Sequence, residues 1–170
     1  TAIDIDNIKN ETDFKNCLSD KKIKLDLKDL FGLGAYFDAL YKEYVRPFLI
    51  GPVFITDYPS EMIALAKRKT DNPNRIASFQ LLVCGIELLK AYNELNDPQE
   101  QHDRWLSEEA LAKKGKAEAE QLDTDYIRAL EYGMPPTAGW GMGIDRLTQF
   151  LTDSPTIKDV ILFPAMRKEE

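Results

Sequence analysis

The feature that most constrains this chain is the run from Pro135 to Pro164, where three glycines at alternate positions precede an amphipathic pattern. Side chains alternate between the two faces of a strand, so Gly139, Gly141 and Gly143 leave one face of a strand bare. The apolar residues that follow recur at the spacing of a helix. The run therefore predicts a strand that leads directly into a helix.

Arg146 falls in the first turn of that predicted helix, where free backbone N–H groups and the positive end of the helix dipole favour an anion. A flat ligand fits against a bare glycine face, so the glycines and Arg146 together suggest a nucleotide pocket with an arginine for a phosphate. The alternative is that the glycines only allow another element to pack closely. Spacing of the G-x-G kind leaves both interpretations open.

The composition limits the class of protein. A chain of 170 residues suits one domain, and 44% hydrophobic with 30% charged residues is typical of a globular protein. No apolar run approaches the roughly 18 residues of a membrane span, and no signal-peptide pattern opens the chain, so we expect a cytoplasmic protein without membrane contact. Cys17 and Cys84 form no metal-binding cluster, and the net charge of −7 argues against a broad nucleic-acid footprint made by this chain alone.

The order of predicted elements favours an α+β fold on an antiparallel sheet. A helical stripe begins at Tyr36, a short strand covers residues 53–56, and a pair of helices precedes the glycine strand. The first of the pair is predicted to begin at Pro98, with Asp97 as its N-cap and Glu100 at the capping-box position, and the second to end at Gly133.

Residues 1–30 are expected to be a charged segment, much of which could be mobile, with a short helix possible from Asp13 to Leu18, apart from the domain at 31–170. The basic run Lys67–Lys69 is typical of a solvated face, with contact to RNA as the alternative.

Residues 77–94 predict a β-hairpin around a Cys84–Gly85 turn. In such a hairpin Leu82 faces Glu87, and Gln80 projects from the same side of the sheet. An amide and a carboxylate on one side are compatible with a magnesium site, because Mg²⁺ takes oxygen ligands, and equally with a solvated outer face. Glu94 lies an odd number of residues beyond Glu87, so both reach one pocket only if a bulge or strand end lies between them.

Two motifs carry a family resemblance. PPTAGWGMGIDR, followed by DVILFP, resembles the third signature motif of class II aminoacyl-tRNA synthetases, in the wording typical of lysyl-tRNA synthetases. The resemblance implies an antiparallel catalytic sheet with its active site on one face. It further implies that Gly139, Gly141 and Gly143 underlie ATP and that Arg146 contacts the adenine and γ-phosphate side of the nucleotide.

The run ASFQLLVCGIELLKAYNE resembles the block in which that family holds its metal and its amino acid. By position, Glu87 is the second metal glutamate, Tyr92 lines the amino-acid pocket and Glu94 faces the bound lysine. Two positions depart from the family pattern. Gln80 replaces the first metal glutamate, and Lys90 replaces a pocket asparagine and places a cation near a cationic substrate.

The resemblance implies a lysine–tRNA ligase of protein biosynthesis that uses ATP and Mg²⁺, with lysine and tRNA(Lys) as substrates and a homodimer in the full-length enzyme. Catalysis is expected from Arg146 and Glu87. Thr1 is not a start methionine and family members are longer, so we expect a C-terminal piece of the catalytic domain with little activity alone. Two alternatives stay open, namely a related ligase that modifies a protein and a non-catalytic module that kept the fold.

Overall fold

The computed structural model describes residues 3–115 and 122–165, and within them an antiparallel sheet is flanked by helices. The strands are β1 (Val53–Thr56), β2 (Ser78–Val83), β3 (Ile86–Asn93) and β4 (Ala138–Met142), in the spatial order β1-β2-β3-β4. The helices are α1 (Glu11–Asp20), α2 (Leu33–Tyr44), α3 (Pro98–Ala112), α4 (Thr124–Glu131) and α5 (Ile144–Leu151). The predicted α+β class with an antiparallel sheet is confirmed.

The predicted hairpin turn connects β2 to β3. Cys84 and Gly85 have φ angles of 50° and 70°, so both occupy the left-handed region that a two-residue hairpin turn of the primed type requires. The turn is attached to the segment before β1, because Arg46 donates from Nε to the carbonyl oxygen of Gly85 at 2.7 Å. Val83 pairs with Ile86, which makes the connection as short as predicted.

The N-terminal segment packs on α2 and shares its core. The ring centroid of Phe14, which is fully buried, lies 5.3 Å from that of Tyr36 and 5.7 Å from that of Phe37. Leu18 and Leu40 are buried in the same cluster. The possible helix from Asp13 to Leu18 is therefore present as part of α1, with a buried face, while the boundary proposed at residue 30 stays a prediction.

The helices begin and end largely where their capping residues predict. The Asp97 side chain accepts hydrogen bonds from the backbone N–H groups of Gln99 and Glu100 at the start of α3, at 2.9 and 3.1 Å. Glu100 does not complete a capping box, since its Oε1 accepts instead from Arg68 and Arg104. Helix α4 is followed by Gly133, whose φ of 104° suits a helix C-terminus.

The two faces of the sheet have different environments. Segment 57–76 packs over one face, where Tyr58, Ala66 and Ile76 are buried and Tyr92 of β3 packs against them. On the other face Phe54 and Trp140 are 64% and 68% exposed. The first face, which we call the inner face, is thus partly covered over β1 to β3. No helix within the described ranges is long and apolar enough to cross a membrane.

Candidate active site

The candidate site lies on the inner face, where the polar residues of β3 stand beside the glycines of β4. Lys90 pairs with Gly141 and Tyr92 pairs with Gly139, so the members of each pair share a face. Because the glycines have no side chains, the inner face is bare over β4 and lined by side chains over β3. The strand predicted to underlie ATP therefore neighbours the strand predicted to line the amino-acid pocket.

A β-bulge brings Glu87 to this face. Leu82 pairs with Glu87, but Leu81 pairs with Leu89, so Leu88 is an extra residue on β3. The extra residue resets the alternation of side chains and sends Glu87 to the same face as Lys90. The irregularity that the odd spacing of Glu87 and Glu94 required is present.

Glu94 follows the end of β3 and lies against the glycine strand. Its backbone N–H donates to the carbonyl oxygen of Thr137 at 2.9 Å, and it forms an isolated bridge with Ala66. A Cβ atom added to Gly139 would lie 2.2 Å from its Oε1 atom. The carboxylate therefore occupies space that only a glycine at position 139 leaves free.

Partial burial raises the pKa of Glu94 above the usual range of a glutamate. Burial also raises the pKa of Tyr126 in α4, and the charge of Glu94 adds to that rise. Glu94 is thus a carboxyl group in a region of reduced solvation, with a phenol nearby. Such a group gains more from a cationic ligand than an exposed carboxylate does.

The three glycines have different surroundings. A Cβ atom at Gly141 would meet nothing within 4 Å, so this position opens onto free space. A Cβ atom at Gly143 would lie 3.3 Å from Cδ of Arg146. Close packing therefore explains Gly139, whereas Gly141 leaves room for a flat ligand, and the binding of a nucleotide there stays a prediction.

Arg146 lies in the first turn of α5, as predicted, with Gly143 as the residue that precedes the helix. Its Nη1 atom donates to the backbone carbonyl oxygen of Glu87 at 2.8 Å. This contact joins the start of α5 to β3 and places a guanidinium group beside the bare strand. Arg146 remains exposed, so its other N–H groups can reach an anion.

Tyr58 is a site residue that the sequence did not indicate. Its hydroxyl group donates a short hydrogen bond to Oε1 of Gln80. Burial is the main cause that raises the pKa of Tyr58. The negative charge of Glu87 also contributes, so the Glu87 carboxylate interacts electrostatically with the Tyr58 hydroxyl group. The only signal in the sequence was the place of Tyr58 just beyond β1, the strand that pairs with β2.

Gln80 and Glu87 fit a magnesium site unequally. The oxygen of Gln80 already accepts from Tyr58, and its cross-strand neighbour is the ammonium-bearing Lys90, which disfavours a cation there. The Glu87 carboxylate takes part in no hydrogen bond or ion pair within the described residues. Glu87 therefore fits a metal ligand better than Gln80 does in this arrangement. The magnesium site stays a prediction.

The basic run makes contacts within the chain. Lys67 donates from Nζ to Oδ1 of Asn96 at 2.8 Å, and Lys69 forms an ion pair with Asp57 at 2.8 Å. Arg68 forms one with Glu100 at 2.9 Å. These contacts favour the interpretation of the run as part of the protein surface rather than an RNA-binding patch.

Comparisons with known proteins identify relatives over most of this chain. Lysine–tRNA ligase of Carboxydothermus hydrogenoformans is 46% identical over 150 residues, which are 88% of this chain and 31% of that protein. The enzyme of the same name from Clostridium acetobutylicum is 45% identical over 169 residues, 98% of this chain and 33% of the relative. That of Nitrosomonas europaea is 49% identical over 139 residues, 82% of this chain and 28% of the relative.

The chain therefore spans about a third of the length of these curated relatives. A sequence model of a family described as tRNA synthetases class II (D, K and N) matches residues 5–167, which include every strand and helix given above. Both the glycine strand and the hairpin with its bulge lie inside that match. The chain belongs to the class II tRNA synthetases of the D, K and N group.

Proposed function

We propose that this chain forms part of the catalytic domain of a lysine–tRNA ligase. In that reaction a carboxylate oxygen of lysine attacks the α-phosphorus of ATP, and the bond to the bridging oxygen of the β-phosphate breaks. Lysyl-adenylate and pyrophosphate result. A ribose hydroxyl at the 3′ end of tRNA(Lys) then takes the lysyl group and AMP leaves.

One observation carries the proposal. The strand with the bare face and the strand with Tyr92 lie side by side, and Glu94 rests against Gly139 at their boundary. A nucleotide over β4 and an amino acid over the end of β3 would therefore be neighbours on one face. Activation needs this proximity, because it joins the carboxylate of one ligand to the phosphate of the other.

Arg146 is proposed to hold the triphosphate. It lies at the start of α5, where the helix dipole adds to its charge, and its bond to the Glu87 carbonyl limits its freedom to move. The reaction requires no nucleophile from the protein. The proposed contribution of Arg146 is to stabilise negative charge that develops on phosphate oxygens.

Glu94 and Tyr92 are proposed to select lysine. The raised pKa of Glu94 reflects its partial burial, which strengthens an ion pair with the lysine side chain. Glu87 is the carboxylate proposed to face the magnesium ion that ATP carries, because its two carboxylate oxygens accept no hydrogen bond from the described residues. For the whole protein we propose a cytoplasmic homodimer that acts on tRNA(Lys), on the strength of the family resemblance.

The test is lysine-dependent exchange of pyrophosphate into ATP by the full-length protein, measured over all twenty amino acids. We expect exchange with lysine to exceed that with any other amino acid, followed by transfer to tRNA(Lys). Exchange with a different amino acid would overturn the assignment. Lysine exchange with transfer to a protein, and not to tRNA, would favour the related ligase, and no exchange at all would favour a non-catalytic module.

A further inference from the structure

Gln80 and Lys90 are directly opposed across β2 and β3, on the inner face. Both line one cavity of about 390 Å³, which reaches from the sheet to α2. Opposed residues on one face are neighbours, with Cβ atoms about 5 Å apart. The ammonium group of Lys90 therefore belongs to the immediate surroundings of Gln80.

Lys90 has no partner for its charge within the described residues. It is half-buried, and none of the ion pairs in residues 3–115 and 122–165 includes it. The carboxylates of Asp38, Glu61 and Glu108 line the same cavity, but no described ion pair joins them to Lys90. An ammonium group that is partly removed from water without such a pair can bind a further anion. Gln80 supplies none, since it is neutral and its oxygen accepts from Tyr58.

Position along β3 separates Lys90 from the carboxylate proposed to bind the lysine side chain. Lys90 and Glu94 are four residues apart in extended chain, a distance of about 13 Å. The two charges therefore act on different parts of the bound ligands. Lys90 instead lies beside Gly141, where the bare face opens, and two residues beyond the bulge that carries Glu87.

We propose that Lys90 is a resident cation that binds a phosphate group of ATP, and that this face consequently binds no metal ion through Gln80. The inference rests on the proposed function only for the identity of the nucleotide. An ammonium at Lys90 and a metal ion at Gln80 would repel each other across one cross-strand pair. The neutral amide and the cation thus form a matched pair in which the protein itself supplies the positive charge.

The experiment uses the full-length protein with a non-hydrolysable ATP analogue, with no amino acid present. Calorimetry gives the Kd of the analogue for the wild type, Lys90→Asn and Lys90→Arg. We expect Lys90→Asn to weaken binding about 10-fold or more, as expected for a lost charge-assisted hydrogen bond, and Lys90→Arg to retain affinity. The dependence of Kd on salt should also be smaller in Lys90→Asn.

A second measurement counts metal ions. Titration with Mn²⁺, followed by electron paramagnetic resonance, gives the number of ions bound per protomer together with the analogue. We expect the double variant Gln80→Glu/Lys90→Asn to bind one more ion than the wild type, because a carboxylate replaces the amide and the repelling ammonium is gone. Equal numbers in the two proteins would overturn the second half of the proposal.

Lys90 could instead only balance Asp38, Glu61 and Glu108, which line the same cavity. In that case Lys90→Asn would lower the Tm and leave the Kd of the analogue unchanged, which would overturn the proposal. The single variant Gln80→Glu keeps the test usable if the double variant fails to fold, since it should pair with Lys90 and also weaken analogue binding. If the wild-type protein binds the ATP analogue through Lys90 but shows no lysine-dependent exchange, the proposed function would be wrong and the proposal for Lys90 would stand.

Discussion

Arg146 donates a hydrogen bond to the backbone carbonyl oxygen of Glu87, and not to its carboxylate. The guanidinium group is therefore positioned by the main chain of β3, at the residue that precedes the bulge. The carboxylate of Glu87 stays available for another role. Arg146 and Glu87, the two residues proposed to carry catalysis, are thus held together through the backbone, while their charged groups can contact different parts of the ligands.

Glu87→Gln tests whether the two charged groups act separately. Since the backbone holds Arg146, the variant should keep its fold and its ATP-analogue affinity in the absence of divalent cations. Its magnesium-dependent exchange rate should fall, because an amide lacks the charge that attracts Mg²⁺. The measurement is exchange rate against magnesium concentration, and an unchanged half-maximal concentration would exclude a metal role for Glu87.

Arg146→Ala should reduce lysine-dependent exchange about 100-fold or more, the usual effect of removing one donor to a developing oxyanion. Arg128→Ala is the matched control, since Arg128 is exposed on α4 and makes no hydrogen bond or ion pair within the described part of the chain. Steady-state exchange kinetics of the two variants give the comparison. Similar losses in both would show that the effect is not specific to Arg146.

Gly139→Ala and Gly141→Ala should affect different substrates. A methyl group at Gly139 would push the Glu94 carboxylate away, so the KM for lysine should rise about 10- to 100-fold. A methyl group at Gly141 meets no protein atom and should instead raise the KM for ATP. Each variant is the control for the other. A rise in the KM for ATP in Gly139→Ala and in the KM for lysine in Gly141→Ala would contradict the roles proposed for the two positions.

Glu94→Gln should reduce kcat/KM for lysine about 10- to 100-fold, because a charged partner of the substrate is lost. Burial raises the pKa of Glu94, so the folded protein retains this proton to higher pH than the unfolded chain does. The free energy of unfolding therefore falls as pH rises from the ordinary glutamate pKa through the raised pKa of Glu94. The unfolding free energy of Glu94→Gln should not show this fall.

Lysine binding should show the opposite trend with pH. A cationic ligand favours the ionised carboxylate, so wild-type affinity should rise as pH increases from the ordinary glutamate range through the raised pKa of Glu94. The affinity of Glu94→Gln should lack that rise. Equal pH profiles of lysine Kd for the two proteins would remove Glu94 from the lysine pocket.

Gly34→Ala should destabilise the protein, because α2 packs closely on segment 60–62 at this position. A Cβ atom there would lie 2.1 Å from the backbone oxygen of Glu61, so α2 and segment 60–62 would have to separate. Overpacking of this kind costs about 1–3 kcal/mol of unfolding free energy. Gly51→Ala, where nothing lies within 4 Å, should leave the denaturation midpoint unchanged.

Local sequence signals predicted much of the fold. The four residues of β1, the Cys84–Gly85 turn and the start of α3 at Pro98 lie where predicted, because each depends on neighbours in the chain. A helix around Phe14 and Leu18 was predicted as possible, but the burial of these two residues was not. Their partners in α2 lie about twenty residues away, and the many charges around them indicated a solvated segment.

The candidate site was less predictable, because its details depend on contacts between distant segments. The need for a bulge followed from the spacing of Glu87 and Glu94, but its location at Leu88 depends on the pairing with β2. The bond from Tyr58 to Gln80 depends on how segment 57–76 crosses the sheet. The difference between Gly139 and Gly141 appears only once Glu94 is placed.

The extra residue at Leu88 lets an odd spacing in the sequence place two side chains on one face. Glu87 and Lys90 are three residues apart, so a regular strand would send them to opposite faces, whereas the bulge keeps both on the inner face. Deletion of Leu88 would regularise the β2–β3 ladder with Glu87 still opposite Leu82, so it should shorten the distance from Glu87 to Lys90 without changing the face that carries Glu87. In this part of the chain, the face on which a side chain lies follows from cross-strand pairing and not from the count of residues.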